Sequence, residues 1–217
     1  MRASCCQGIS FTPFSNVITF NTFIKFKSKI LTKQEDDLLL SYLPKGKESK
    51  VTLLYRGSND GFGIGTFHQK CNGKGATVTI ILSDQLNHVF GGFTNAHWRG
   101  GNGNFVHDAG AFVYLLRSGK GDNPQKFTIK SGHEQHAIYN SSSYGLTFGK
   151  KVKNKKIGLI TIFMFKCGGH DLYICNNCNS NTNNSCNPGS YDGPIDNTRL
   201  AGANTFKVKE IEVYLVE

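Results

Sequence analysis

Short runs of β-branched and aromatic residues recur at close intervals along this chain, separated by turns rich in glycine, asparagine and serine. Residues 51–56, 76–82, 88–94 and 110–117 read as strands. Residues 126–130, 137–140 and 169–175 carry the same signal more weakly. Few helical patterns lie between them, so the strand–helix–strand rhythm of a parallel sheet is missing. The expected fold is therefore mainly β with short helices (α+β). It is a two-sheet antiparallel β-sandwich flanked by a few short helices. A chain of 217 residues suits one domain. At that length folding hides roughly 70% of the unfolded surface, and no disulfide or structural metal is needed to hold a core.

The final segment, 205–217, alternates with a change of phase. Phe206 and Val208 share one face, whereas Ile211, Val213 and Leu215 have the opposite parity. A β-bulge near Lys209–Glu210 would return all of them to a single core face. The clearest helix is 33–43. Thr32 and Glu35 form a capping box, Glu35, Asp36 and Asp37 suit the positive end of the helix dipole, and Pro44 ends the run. A second helix is expected at about 61–71, after the turn Ser58-Asn59-Asp60-Gly61. Residues 1–29 show no period and stand as an N-terminal extension of uncertain structure. Phe11, Phe14, Phe20 and Phe23 nevertheless make that stretch sticky.

The formal charge of +10 suggests nucleic acid, but its distribution argues otherwise. Residues 1–29 and 150–167 contain no acid and carry the whole excess, and the remainder is balanced. No nucleic-acid partner is expected. The longest apolar run, 157–165, is far short of the ~20 residues that span a bilayer, so no stable membrane insertion is expected either. Seven cysteines and no continuous apolar leader segment point to a reduced, cytoplasmic setting.

Four stretches resemble the TLDc family in order and spacing. The first is Leu53-Leu54-Tyr55-Arg56-Gly57-Ser58-Asn59-Asp60-Gly61-Phe62, followed by Phe67, His68 and Cys71. The second is Val89-Phe90-Gly91-Gly92-Phe93-Thr94, followed by Trp98. The third is Ala137-Ile138-Tyr139 with Tyr144-Gly145-Leu146-Thr147-Phe148-Gly149. The fourth is Leu200-Ala201-Gly202, then Phe206 and Lys209-Glu210-Ile211-Glu212-Val213-Tyr214. Together they place the domain at 30–217. The motif positions expected to serve structure or an interface are Arg56, Asp60, Gly61, Phe62, Phe67, His68, Cys71, Gly91, Gly92, Trp98, Tyr144, Gly145, Gly202, Glu210 and Glu212.

The resemblance implies a β-sandwich that binds protein, with no cofactor and no catalytic residue. It further implies regulation of the vacuolar proton-pumping ATPase (V-ATPase) and protection against oxidative stress. The chain departs from the family pattern at 150–167. In relatives the Tyr-Gly-x-Thr-Phe-Gly stretch runs almost directly into Gly-Gly-His-Asp-Leu. Here an acid-free stretch with a basic half and an apolar half intervenes, which reads as an insertion or a gene-model artefact.

Three constellations offer chemistry. His170, Cys175, Cys178 and Cys186 include a Cys-x-x-Cys pair, but the third thiol sits in an Asn/Ser-rich loop that holds a tetrahedral metal poorly. Free thiols in a reduced loop are the expectation there, and no metal is expected. His68 and Cys71 lie three apart on a helix, where an imidazole would activate a thiol. A thiol-based redox enzyme or sensor using Cys71 or the Cys175/Cys178/Cys186 cluster is thus the alternative function. Trp98 serves either as a stacking platform for a ligand such as a sugar or as part of the sandwich core.

Overall fold

The computed structural model describes residues 25–150, the strand backbones at 156–157 and 160–161, and residues 170–187, 189–193 and 198–217. Its elements run in chain order. They begin with α1 (Lys33–Tyr42), β1 (Val51–Arg56), α2 (Gly57–Asp60), α3 (Ile64–Cys71), β2 (Thr77–Ser83) and β3 (Val89–Thr94). They continue with β4 (Asn104–Val106), β5 (Phe112–Arg117), β6 (Gln125–Thr128), β7 (Ile138–Asn140) and β8 (Thr147–Phe148). The last are β9 (Lys156–Ile157), β10 (Ile160–Thr161), β11 (Leu172–Tyr173), β12 (Asn184–Ser185), β13 (Thr205–Phe206) and β14 (Val208–Val216).

Twelve of these strands form two six-stranded sheets, ordered β1-β14-β2-β3-β5-β6 and β13-β12-β11-β8-β7-β4. Every recorded pairing is antiparallel. The core between the sheets contains Phe67, Phe90, Trp98, Phe127, Phe148, Phe206 and Val213. A second cluster lies on the other face of the first sheet. There Phe26, Leu39 and Leu40 cover Val78, Ile80, Phe93, Phe112, Tyr114 and Tyr214. Strand β3 is consequently buried at every position. Burying each large side chain is worth about 1.5–3 kcal/mol, so this helix layer contributes to stability as the sandwich core does. The helix α1 carries the expected capping box, with Thr32 accepting from the Glu35 N–H and Glu35 accepting from the Thr32 N–H.

The register of β14 shifts between Val208 and Glu210 against β2, where the phase change calls for a bulge. The shift lets Phe206, Val208, Ile211 and Val213 share one core. Strand β1 departs from simple alternation, which would put Val51, Leu53 and Tyr55 on one face and Leu54 on the other. A register shift between Leu53 and Tyr55 turns Leu53 to solvent, 38% exposed, while Leu54 packs against the inter-sheet core. The expected helix 61–71 begins later, at Ile64, because Gly57–Asp60 forms a separate turn of helix that ends at Gly61 with φ +90°. That conformation suits glycine.

The domain reaches further back than residue 30. Phe26 is completely buried, with its ring edge-on to Tyr214 at 5.0 Å. The sticky stretch from Phe11 to Phe23 lies outside the described residues. Of residues 150–167, β9 and β10 pair with one another, while the flanking strands β8 and β11 pair directly, Phe148 with Leu172 and Thr147 with Tyr173.

Candidate functional site

The motif residues of β1, α2 and β14 meet the chain at 25–30 in one buried polar junction. Glu212 is fully buried in the long central strand β14. Its carboxylate accepts from the Arg56 Nε at 2.8 Å, the Lys29 N–H at 2.9 Å, the Ser28 hydroxyl at 2.6 Å and the Tyr214 hydroxyl at 3.1 Å. Arg56 also donates through Nη2 to the Lys27 carbonyl at 3.0 Å. Such a charge pair is stable in the interior because hydrogen bonds satisfy its remaining valences. Burial and the neighbouring Glu212 charge push the Tyr214 hydroxyl well above its usual range, so it stays protonated and donates.

Asp60 and Glu210 serve neighbouring backbone. Asp60 accepts from the Arg56 N–H and pairs with Lys70 at 3.1 Å. Burial raises the Asp60 pKa, but these partners outweigh it and hold the carboxyl below its usual value. Glu210 accepts from the Ser58 N–H at 3.0 Å and from the Ile211 N–H at 3.0 Å, tying α2 to the bulge. The four charged motif residues thus fix the junction of α2, β1, β14 and the N-terminal strap.

His68 and Cys71 do not combine. The His68 ring reaches the Asn72 side-chain oxygen through Nδ1 at 2.9 Å. Its Nε2 donates to the Ser141 and Tyr144 carbonyls at 3.0 and 2.9 Å. Cys71 is fully buried, and burial pushes its thiol up to about 12. Burial likewise raises Cys178 to about 12, and it raises Cys186 further. A thiol held this high presents almost no thiolate at neutral pH.

Cys175 donates to the Asn181 side chain at 3.0 Å. His170 lies under a group of tyrosines, and its Nδ1 donates to the Gly149 carbonyl at 2.7 Å. Among the described residues, no group of three or more His, Cys, Asp or Glu side chains could hold a metal.

Trp98 is core. It is 1% exposed, it meets Phe67 and Phe148 edge-on at 5.6 Å, and its indole N–H donates to Thr77 at 2.8 Å. It therefore presents no platform for a ligand. Phe62, Phe67 and Gly145 line a small apolar recess with Tyr55, Cys175 and Cys178. Its cavity volume is only about 10 Å³, room for about one water. Gly91 and Gly92 answer to packing, since a Cβ at Gly91 would collide with the Thr79 carbonyl and one at Gly92 with the Phe148 ring. Gly202, at φ +83°, lies against His88. Tyr144 joins an aromatic group on the second sheet.

The family model for the TLDc domain matches residues 24–217. The chain belongs to the TLDc family. No curated protein matches it. The TLDc match begins at residue 24 and so includes the fully buried Phe26. Among the described residues no helix is long and apolar enough to cross a membrane. The polar junction was only half legible in the sequence. Arg56, Asp60, Glu210 and Glu212 stood in the motifs, but Ser28 and Lys29 lay in a stretch without period. Only the pairing of β14 with β1 brings them together.

Proposed function

We propose that this TLDc chain is a non-enzymatic, cytoplasmic protein-binding module whose partner is the V-ATPase and whose output is protection against oxidative stress. Family membership over residues 24–217 carries this reading. The geometry of the motif residues supports it. Arg56, Asp60, Glu210 and Glu212 each hold a neighbouring segment in place, and His68 is held by Asn72 and two backbone carbonyls. The raised thiols of Cys71 and Cys178 weigh against the redox alternative. The balanced charge outside 1–29 and 150–167 supports a protein rather than a nucleic acid as partner. Affinity capture with the tagged full chain, followed by identification of bound subunits, tests the reading. Stoichiometric recovery of V-ATPase subunits is the expected result. A capture free of them would overturn it.

A further inference from the structure

The two outer faces of the sandwich differ. The first sheet is covered by α1 and the strap that carries Phe26 and Ile30. The outer face of the second sheet is aromatic, and the short 3-10 turn Glu134–His136 packs against it at the β4 end. In β4, Val106 turns inward to the core and Phe105 outward. In β7, Ile138 turns inward and Tyr139 outward, directly opposite Phe105. Tyr173 of β11 stands opposite Thr147 and also touches the edge of the inter-sheet core. The loop before β8 folds Tyr144 between them, 5.4 Å from Tyr139 and 5.2 Å from Tyr173. These four rings are half-buried. His170, almost completely buried, lies beneath them within 5.4 to 6.4 Å of every one. Because its Nδ1 donates to Gly149, the floor of the group is fixed.

The rim of this face is basic. His136 abuts Phe105 at 5.0 Å. Burial holds His136 below its usual pKa, with the nearby positive charges of Lys150 and His133 adding to the shift. Lys130 lies in the next turn, where the His133 N–H donates to its carbonyl, and its Nζ donates to the Gly189 carbonyl at 3.1 Å. On the far side, Arg99 enters through its backbone N–H to Asn140, next to Tyr139. Glu134 and Asp192 are the acids in this neighbourhood that are not buried, since Asp108 and Asp171 are both buried and hydrogen-bonded. Among the described residues, the ion pairs involve neither Arg99 nor Lys130 nor Lys150.

We propose that this face, Phe105, Tyr139, Tyr144 and Tyr173 over His170 with the Arg99, Lys130 and Lys150 rim, docks an acidic peptide segment of a partner protein. The inference rests on the protein-binding reading and gives it a surface. Charge complementarity selects the sign of the partner. Ring geometry selects a peptide over a nucleic acid. The rings meet edge-to-face or tilted, at 57° to 71° between Phe105, Tyr139, Tyr144 and Tyr173, so neighbouring rings partly cover one another's faces. Base stacking needs open faces. Ridges of alternating rings instead leave grooves for aliphatic and aromatic side chains, and the cations around them meet carboxylates.

The test titrates the full-length chain with a fluorescent twelve-residue peptide of alternating Glu and Leu. The same peptide with Lys for Glu, a thymine oligonucleotide and anionic vesicles serve as the other probes. The acidic peptide should bind, and added salt should weaken it. Tyr139→Ser with Tyr173→Ser should weaken it at least about 10-fold, an amount typical of losing interface anchors. Arg99→Glu with Lys150→Glu, exposed changes that spare the fold, should weaken it similarly. Leu53→Ser, on the other sheet, should change nothing. Equal binding of the basic peptide overturns the proposal, as does preference for the oligonucleotide or vesicles. So does self-association through this face, or indifference to both double variants. The same variants in the V-ATPase capture separate the two claims. Full capture by both double variants leaves the partner reading intact and removes this surface. No capture by the unaltered chain removes the partner reading, while the peptide titration still decides the face.

Discussion

Glu212 is the residue on which the junction depends most. It gathers donors from β1, from the strap and from its own strand, with no exposure to water. Replacing it by Gln leaves the Arg56 guanidinium buried without its counter-ion. Glu212→Gln should therefore cost about 3–5 kcal/mol in urea unfolding, whereas Glu212→Gln with Arg56→Met should recover part of that loss.

His88 makes a second residue-scale prediction. It is fully buried, its Nδ1 donates to the Leu200 carbonyl, and its Nε2 has no partner. Burial lowers its pKa below the ordinary 6.5. The Leu200 bond opposes that shift, the Lys120 charge adds to it, and Asp122 offsets it slightly. The folded state thus binds this proton less readily than the unfolded chain. The stability held above 6.5 should fall as pH drops below it. Melting temperatures measured from pH 7 to pH 5 should show that slope. In His88→Gln, which keeps a donor for Leu200, the slope should flatten.

At the scale of elements, the segment 150–167 decides whether the second sheet depends on its longest connection. Strands β8 and β11 pair directly across it, and β9 and β10 pair with each other. Shortening the connection changes closure entropy by about 0.6 kcal/mol per halving. Deleting 150–167 should keep the fold, leave or raise the melting temperature, and raise solubility by removing large apolar side chains such as Ile157, Leu159, Ile160, Ile162, Phe163 and Phe165. A loss of several kcal/mol would instead make residues 157–165 part of the native sheet.

Some elements could be read without a structure, and the reasons are physical. The Thr32–Glu35 box and the phase change at Lys209–Glu210 are local signals, complete within a few residues, and both are realised. Leu53 illustrates the opposite case. Its face depends on a register shift against β14, which lies at the far end of the chain. The strands β8 and β12 are two residues long, too short for any period to register. The aromatic outer face was hidden for a third reason. Phe105, Tyr139, Tyr144, His170 and Tyr173 come from separate segments, and no single segment announces the group.

At the scale of the molecule, the sandwich has one face closed by α1 and one face left aromatic, with its motif acids turned inward as braces. That arrangement fits a protein that works by contact. Purified V-ATPase titrated with the full-length chain gives the most direct test, comparing the unaltered protein with a variant in which Cys71, Cys175, Cys178 and Cys186 are all Ala. The account predicts saturable binding, with affinities within about 3-fold of each other (less than 1 kcal/mol), and no catalytic consumption of peroxide by either protein. Absence of binding, or peroxide turnover that vanishes with the thiols while the variant remains folded, would contradict it.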